Sequence, residues 1–509
     1  MVKNSNNKPT PEIIRNGNIR KELPSRHNTQ RFNPATLKNK NTTMDRLSNL
    51  PDPLLSHILS SLPFKEAAKT SSLSKQWRHQ WKSTRNLDFN HLYFANLDSN
   101  GDVELQPQIF TNFVQQFIAN NKSPIMDKLS LTFSSPGDSQ ELVEKCITFS
   151  VERNVKHLKL DFSDPTWDEN DLDGPARPMF DLPLSFYNHQ VLEAVTLFSC
   201  KFDVLRFKNF GLLKSISLRW IELKVSTLKA LLANCGCLES LSVKSCWNMD
   251  GLYVCGKDLK LSTLVVEKCH FLNPYFEIEA PNLKYLKYSG TVGVFFVYGT
   301  GLEEADLDFG LESECDESLG DSLYQSLNQI CPTTALTVCT YMLQVIPMGE
   351  EPLGMEPRLN VTHLTLRTAM HNYEQYGIRF FLNSCPHLET LTIDIDRSRR
   401  ICDEYEPPLG DKFESLWTRS AIIFKCITQT LRKVEIKGFK GTRNEVYVMF
   451  YLVNHARVLE KLTVITSSEE SNRGPEFFRR TLENFVVLAM GDGEAERGDR
   501  ILAIFFFFP

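Results

Sequence analysis

An apolar triplet spaced i, i+3, i+5 recurs along most of this 509-residue chain. It reads Met126/Leu129/Leu131, Val155/Leu158/Leu160, Leu192/Val195/Leu197, Leu213/Ile216/Leu218, Leu238/Leu241/Val243, Leu261/Leu264/Val266, Leu283/Leu286/Tyr288 and Leu302/Ala305/Leu307. The triplet returns at Val361/Leu364/Leu366, Leu388/Leu391/Ile393, Leu431/Val434/Ile436 and Leu459/Leu462/Val464. Between 192 and 302 the steps are 21, 25, 23, 22 and 19 residues. The last two positions of each triplet alternate, which places them on one face of a short strand. One such strand cannot bury that face alone, so the units must stack on one another.

The step length and the L-x-x-L-x-L pattern resemble leucine-rich repeats. Asn234 to Glu239 and Ser384 to Glu389 resemble the helix-to-strand turn of the plant repeat type. Cys200, Cys246 and Cys269 each follow the last apolar position by three residues, and read as small buried groups that satisfy backbone at the turn. Gaps of 59 residues (302 to 361) and 43 residues (388 to 431) make the array irregular. Within the first gap, Ala335 to Val338 and Leu343 to Ile346 keep strand-like alternation and predict a hidden degenerate repeat. Glu312 to Gly320, which is acidic, and Arg397 to Lys412, with Pro407-Pro408, read as loops. On each strand the residue between the last two apolar positions should face the concave surface. That makes Ser217, Ser242, Lys287, Asp306, Thr365 and Thr392 the candidate target-binding residues; they are mixed in sign and mostly small.

A different pattern occupies Leu47 to Phe89. Leu54, Leu55, Ile58, Leu59 and Leu62 fall at helical spacing between Asp52-Pro53 and Pro63, so one short helix is apolar over more than half its circumference. A second helical stretch carries Ala67, Ala68, Ser71 and Leu73, followed by Trp77 and Trp81. Two short helices can hide one apolar face against each other, and the remainder needs a partner. The run Leu50-Pro51-Asp52, Leu54-Leu55, Ile58-Leu59, Leu62-Pro63, Trp77-Arg78-x-x-Trp81 and Leu87-Asp88-Phe89 resembles a plant-type F-box, with Gln76 where a basic residue is commoner. The resemblance implies docking on a Skp-family linker through Leu50, Pro51, Leu54, Leu55, Ile58, Leu59, Leu62, Pro63, Trp77 and Trp81. Farther along, Leu431 to Gly441, Glu445, Leu452 to Asn454 and Leu459 to Leu462 resemble an FBD domain, expected to cap the solenoid's end.

Composition bounds the rest. Apolar and charged fractions of 42% and 23% are those of a folded chain. The net charge of -5 argues against general affinity for nucleic acid, although Met1 to Thr43 alone carries nine Lys and Arg against two Glu. That leader, rich in Asn and without apolar periodicity, is expected to be disordered. No stretch has the form of a signal peptide or a spanning helix. Thirteen scattered Cys fit reduced thiols better than a disulfide framework. Gly251-x-x-x-x-Gly256-Lys257 imitates a phosphate-binding loop, but Asp258 stands where the Mg-binding hydroxyl belongs and a strand follows. Asp306-x-Asp308 and Asp394-x-Asp396 lie on repeat strands and read as solvated faces.

The expected architecture is therefore α/β, with a helical F-box followed by an irregular leucine-rich-repeat solenoid and an FBD-type capping unit. Expected boundaries are a basic leader at 1–43, F-box at 44–92, repeats at 93–414, cap at 415–488 and an unstructured tail at 489–509. The resemblance implies a non-catalytic substrate-recognition subunit of an SCF-type ubiquitin ligase in the cytoplasm and/or nucleus. Its partners would be the Skp-family linker, a cullin through it, and an unidentified target protein, with no specific nucleic acid, no membrane and no cofactor. The residues themselves leave open a repeat scaffold or inhibitor whose N-terminal helices only cap the array.

Overall fold

The computed structural model describes residues 50–97, 103–348, 354–467 and 503–507, with interruptions at 169–176, 403–414, 419–421 and a few single positions. The leader and the linker 491–500 lie outside the described residues. The backbone of the architecture is a fifteen-stranded sheet, parallel throughout, whose strand order follows chain order. Its first strand is Asn86–Asn90, the C-terminal end of the F-box, and its second is Lys128–Thr132. The F-box therefore runs into the solenoid without a linker.

Register explains the spacing of the triplets. Ile216 sits beside Leu241 and Leu264, and Leu218 beside Val243 and Val266, so each apolar pair stacks on the pair before and after it. All triplet positions are buried. The gap between 302 and 361 holds one extra strand, Ala335–Val338, which pairs in register with Glu304–Asp308 and His363–Thr368. The second segment expected to be strand-like is instead the helix Thr340–Val345, because every residue in it is buried and alternation carries no facing information there. The acidic stretch expected as a loop also enters a helix at Asp316, whose carboxylate accepts from Leu319 N at 2.9 Å to cap Glu317–Gln329.

The region resembling an FBD domain continues the same ladder through Lys433–Phe439 and Lys461–Thr466. A bulge shifts the register between Ile436 and Phe439, at Gly438 with φ +71°, where a side chain would strike Ile395 O. The tail, expected to be unstructured, contributes a further strand, Ala503–Phe507, parallel to Lys461–Thr466. An uncharged, β-prone run beside an open edge strand satisfies the backbone donors and acceptors of that edge. The ladder thus includes residues past 488, the expected end of the capping unit.

On the other side of the core stand α4 (Pro107–Asn120), α5 (Gln140–Glu152), α6 (Val225–Asn234) and α7 (Glu317–Gln329), following α1 (Asp52–Ser60), α2 (Phe64–Lys69) and α3 (Trp77–Gln80) of the F-box. Between α6 and α7 the units are too short for helices. There the outer side is a second parallel sheet of Leu252–Cys255, Tyr275–Glu279 and Val294–Tyr298. The Gly251 to Gly256 stretch is part of this sheet, so no helix N-terminus follows it.

Cys315 and Cys402 form a disulfide, against the expectation of reduced thiols throughout. The segment after Thr390–Ile395 reaches back to the one before α7, where Arg400 Nη1 donates to Glu312 O at 2.9 Å. Sequence spacing gives no hint of the pairing, since 87 residues separate the two cysteines.

Candidate partner-binding surfaces

The F-box closes a small core of its own from Leu55, Leu59, Ala67 and Trp77, with Leu50, Leu62 and Trp81 packed against it. Pro53 sits in the first turn of α1, where its missing N–H costs no helical bond, and the Pro51 carbonyl accepts from Leu54 N at 2.9 Å. Gln76, the departure from the commoner basic residue, holds the helices together: Nε2 donates to Leu50 O at 3.3 Å, and neighbouring Gln80 Nε2 donates to Asp52 Oδ1 at 2.9 Å.

This closure divides the ten residues assigned to the linker. Leu55, Leu59 and Trp77 point inward and offer a partner no surface, so their assignment is corrected to internal packing. Trp81 turns to the solenoid, its ring 5.7 Å from Phe117 and 5.8 Å from Phe64. Leu50 and Leu62 are half-buried, and Pro51 and Pro63 are exposed. Leu54 and Ile58, one turn apart on α1, are 51% and 37% exposed. Leu73, part of the second helical stretch but not among the ten residues assigned to the linker, is 63% exposed. The helical pattern marks all these leucines as apolar, and only the packing shows which stripe faces out.

A second aromatic cluster fixes the F-box against the first strand. Phe64 of α2 meets Phe89 and Phe117 at 5.9 Å each, and Phe89 meets Phe117 at 5.4 Å. Asn86 Nδ2 donates to Ser60 O at 2.9 Å, and Asn121 Nδ2 to Lys82 O at 2.9 Å. The exposed stripe of α1 is thereby held in a fixed relation to the repeat sheet.

On the solvent-facing side of the repeat sheet, Ser217, Ser242, Thr365 and Thr392 are half-buried as the alternation requires. The two charged candidates are engaged within the protein. Arg367 Nη1 and Nη2 reach the two carboxylate oxygens of Asp306 at 2.7 and 3.0 Å, leaving Asp306 buried, so that residue is corrected from target contact to an internal pair. Lys287 lies 2.6 Å from Glu267, which also holds Lys244. Phe198 and Arg219, on adjacent strands, share the same face, with the guanidinium 5.5 Å from the ring.

Buried polar groups serve the fold. Cys200, Cys246 and Cys269 donate to backbone carbonyls near the turn, as the sequence leads one to expect: Cys200 Sγ to Phe198 O at 3.3 Å, Cys246 Sγ to Lys244 O at 3.4 Å. Burial pushes the thiols of Cys200 and Cys246 well up, which keeps them protonated. Ser150 and His189 meet at 3.0 Å but are sealed from solvent, and burial pushes the imidazole down to about 4. Glu374 is fully enclosed, accepts from His371 N at 2.7 Å and Ala369 N at 3.2 Å, and is pushed up to about 7 by its burial. Among the described residues no group of three or more His, Cys, Asp or Glu is placed to hold a metal. No described helix is long and apolar enough to cross a membrane.

Comparison with known proteins agrees with this geometry. The family model for the F-box domain matches residues 47–89, and the one described as the At1g61320/AtMIF1 LRR domain matches residues 121–486. The Arabidopsis thaliana F-box protein At3g62230 is 34% identical over 427 residues, covering 83% of this chain and 91% of the relative. The Arabidopsis F-box/FBD/LRR-repeat protein At1g78750 is 25% identical over 441 residues, covering 83% and 90%. A helical F-box that ends as the first strand of a parallel repeat sheet, matched over 83% of the chain by such relatives, makes this chain a member of the plant F-box/leucine-rich-repeat family.

Proposed function

We propose that this protein is a substrate-recognition subunit of an SCF-type ubiquitin ligase. The observation that carries the reading is the stripe of Leu54 and Ile58, exposed on a module whose own core is already closed. A hairpin that needed these side chains for its fold would bury them, and a partner with an apolar cleft removes them from water. The hairpin is basic in sequence, with Lys65, Lys69, Lys75, Arg78 and Lys82 against Asp52 and Glu66, which suits a linker with acidic residues beside its cleft. In this reading Leu50, Pro51, Leu54, Ile58, Leu62 and Pro63, joined by Leu73, form the linker contact. A cullin follows through the linker, and Ser217, Ser242, Thr365 and Thr392 lie on the face that takes the target.

The contribution of such a subunit is proximity. It makes no bond itself; it raises the local concentration of target at the charged ubiquitin carrier. The aromatic joint at Phe64, Phe89 and Phe117 serves that role, because a target held on a sheet rigidly joined to the linker occupies a restricted volume.

The test is calorimetric titration of a purified Skp-family linker into the full chain and into a variant with Leu54→Ser and Ile58→Ser. Each buried leucine or isoleucine side chain is worth roughly 1.5 to 3 kcal/mol, so affinity should fall about a hundredfold or more. The circular dichroism should not change. Undiminished binding by the variant would overturn the proposal.

A further inference from the structure

The outer sheet offers a second surface. Phe276 and Phe295 point inward, their rings 5.0 and 5.2 Å from Tyr288 of the main sheet. The two sheets thus face each other across the core, and their outer faces look in opposite directions. On the outer face the register sets Tyr253, Glu277 and Phe296 side by side, with Tyr275 and Val294 in the row before and Glu279 and Tyr298 in the row after. Tyr275, Val294 and Tyr298 are 37%, 46% and 47% exposed. Tyr275 stands 5.9 Å from Tyr253 and 5.2 Å from Phe296, so the three rings form one cluster on the strand positions beside Glu277. The lateral edges of this sheet are flanked by α6 and α7, which leaves the face, and not an edge, available to a partner.

Charge decides what kind of partner fits. Among the described residues neither Glu277 nor Glu279 lies within ion-pair distance of a lysine or arginine. A neutral apolar partner would bury both carboxylates unpaired, which is costly. A second copy of the same face would set carboxylate against carboxylate. A cation over Glu277 meets the carboxylate and the aromatic faces together. Lys229 of α6 already stands 4.5 Å from the centre of the Tyr253 ring, showing that this ring accepts an ammonium group.

The geometry points to the outer sheet as a docking surface for a basic segment of a partner protein, with a lysine or arginine side chain seated over Glu277 between Tyr253, Tyr275 and Phe296. This surface is distinct from the linker stripe and from the sheet face that carries Ser217 and Ser242, so all three can be filled at once.

The test begins with a phage-displayed library of random linear peptides panned on the full-length protein. Selected peptides should be enriched in lysine and arginine, and a labelled selected peptide should bind wild type saturably, more weakly as salt rises. Glu277→Gln should weaken that peptide at least tenfold, and Lys229→Gln, which removes the competing resident cation, should strengthen it severalfold. Lys229 is exposed and Glu277 half-exposed on the outer face, so unchanged melting curves should accompany these shifts. The proposal is overturned if selected peptides lack basic residues, if Glu277→Gln binds the peptide as well as wild type, or if no saturable binding emerges. It is equally overturned if sedimentation shows a dimer that Tyr275→Ser with Phe296→Ser dissociates, since the face would then belong to a second copy.

Discussion

The helical hairpin at residues 50–84 and the sheet that follows it face the same problem and solve it to different extents. A repeat strand has an identical neighbour on each side, so Leu241 and Val243 are covered by Ile216, Leu218, Leu264 and Val266 and lose all contact with water. The hairpin has no repeats to lean on. It closes a four-residue core and must leave Leu54, Ile58 and Leu73 outside. Stacking completes burial wherever a neighbour exists, and what stays exposed marks where the chain expects something else.

The largest expected effect tests that contrast directly. Leu241→Ala or Leu264→Ala should cost about 2 to 5 kcal/mol by opening a cavity in a packed ladder. Leu54→Ala and Ser242→Ala should each cost less than about 0.5 kcal/mol, because neither side chain fills a closed space. Urea denaturation of the full chain measures all four. Comparable losses at Leu54 and Leu241 would mean that the hairpin stripe belongs to the fold.

The same contrast explains how much was legible in the sequence. The ladder could be read because one face of each strand is wet and the other dry, so alternation carries the register; even the degenerate Ala335–Val338 strand kept it. Alternation failed where both sides are buried, as at Leu343 to Ile346, which is helical. The outer sheet leaves a fainter trace, in Leu252/Val254, Phe276/Ile278 and Phe295/Val297, because those pairs lie inside the length of chain that connects one repeat strand to the next. In the F-box, Leu54 and Leu55 are adjacent letters on opposite sides of the packing, and no pattern separates an interface leucine from a core one until α3 is placed. The tail strand leaves no such trace, because each of its residues pairs with one 42 positions earlier, as Ala503 does with Lys461.

Charged groups sharpen the comparison further. The hairpin buries no charged side chain among the described residues, whereas the repeat region encloses Glu374. Burial raises its pKa to about 7, above the ordinary 4.5, so the folded state holds a proton that the unfolded state releases. This contribution is fully present below about pH 4.5 and is lost as pH rises through 7, by up to about 3 kcal/mol at 1.36 kcal/mol per unit. His189 runs the other way: its folded pKa of about 4 lies below the ordinary 6.5, so its contribution is present above 6.5 and lost as pH falls toward 4. The two partly cancel in the whole protein. The difference between wild type and Glu374→Gln isolates the carboxylate, and it should move in favour of the variant as pH rises from 5 to 7. A difference constant across that range would show that the backbone donors from Ala369 and His371 hold Glu374 ionised.

The smallest effect concerns the turn that lets strands stack at so short a period. Immediately after four successive strands a non-glycine residue adopts positive φ: Ser199 at 58°, Trp220 at 55°, Ser245 at 47° and Lys268 at 53°. No described residue of the hairpin does so, because its helices turn within the right-handed region. An L side chain in the left-handed region costs on the order of 1 kcal/mol, which the sheet imposes through backbone bonds such as Ser245 N to Glu267 O at 2.9 Å. Glycine removes that strain but brings a larger entropy loss on folding, so Ser245→Gly should stabilise by only about 0.5 kcal/mol. Ser245→Val, branched at Cβ, should destabilise by more than about 1 kcal/mol at the same site. Thermal melts of the two variants read a difference of opposite sign against wild type. If valine is tolerated as well as glycine, the left-handed turn is not a fixed part of the repeat, and the short period must instead rest on the stacked apolar pairs alone.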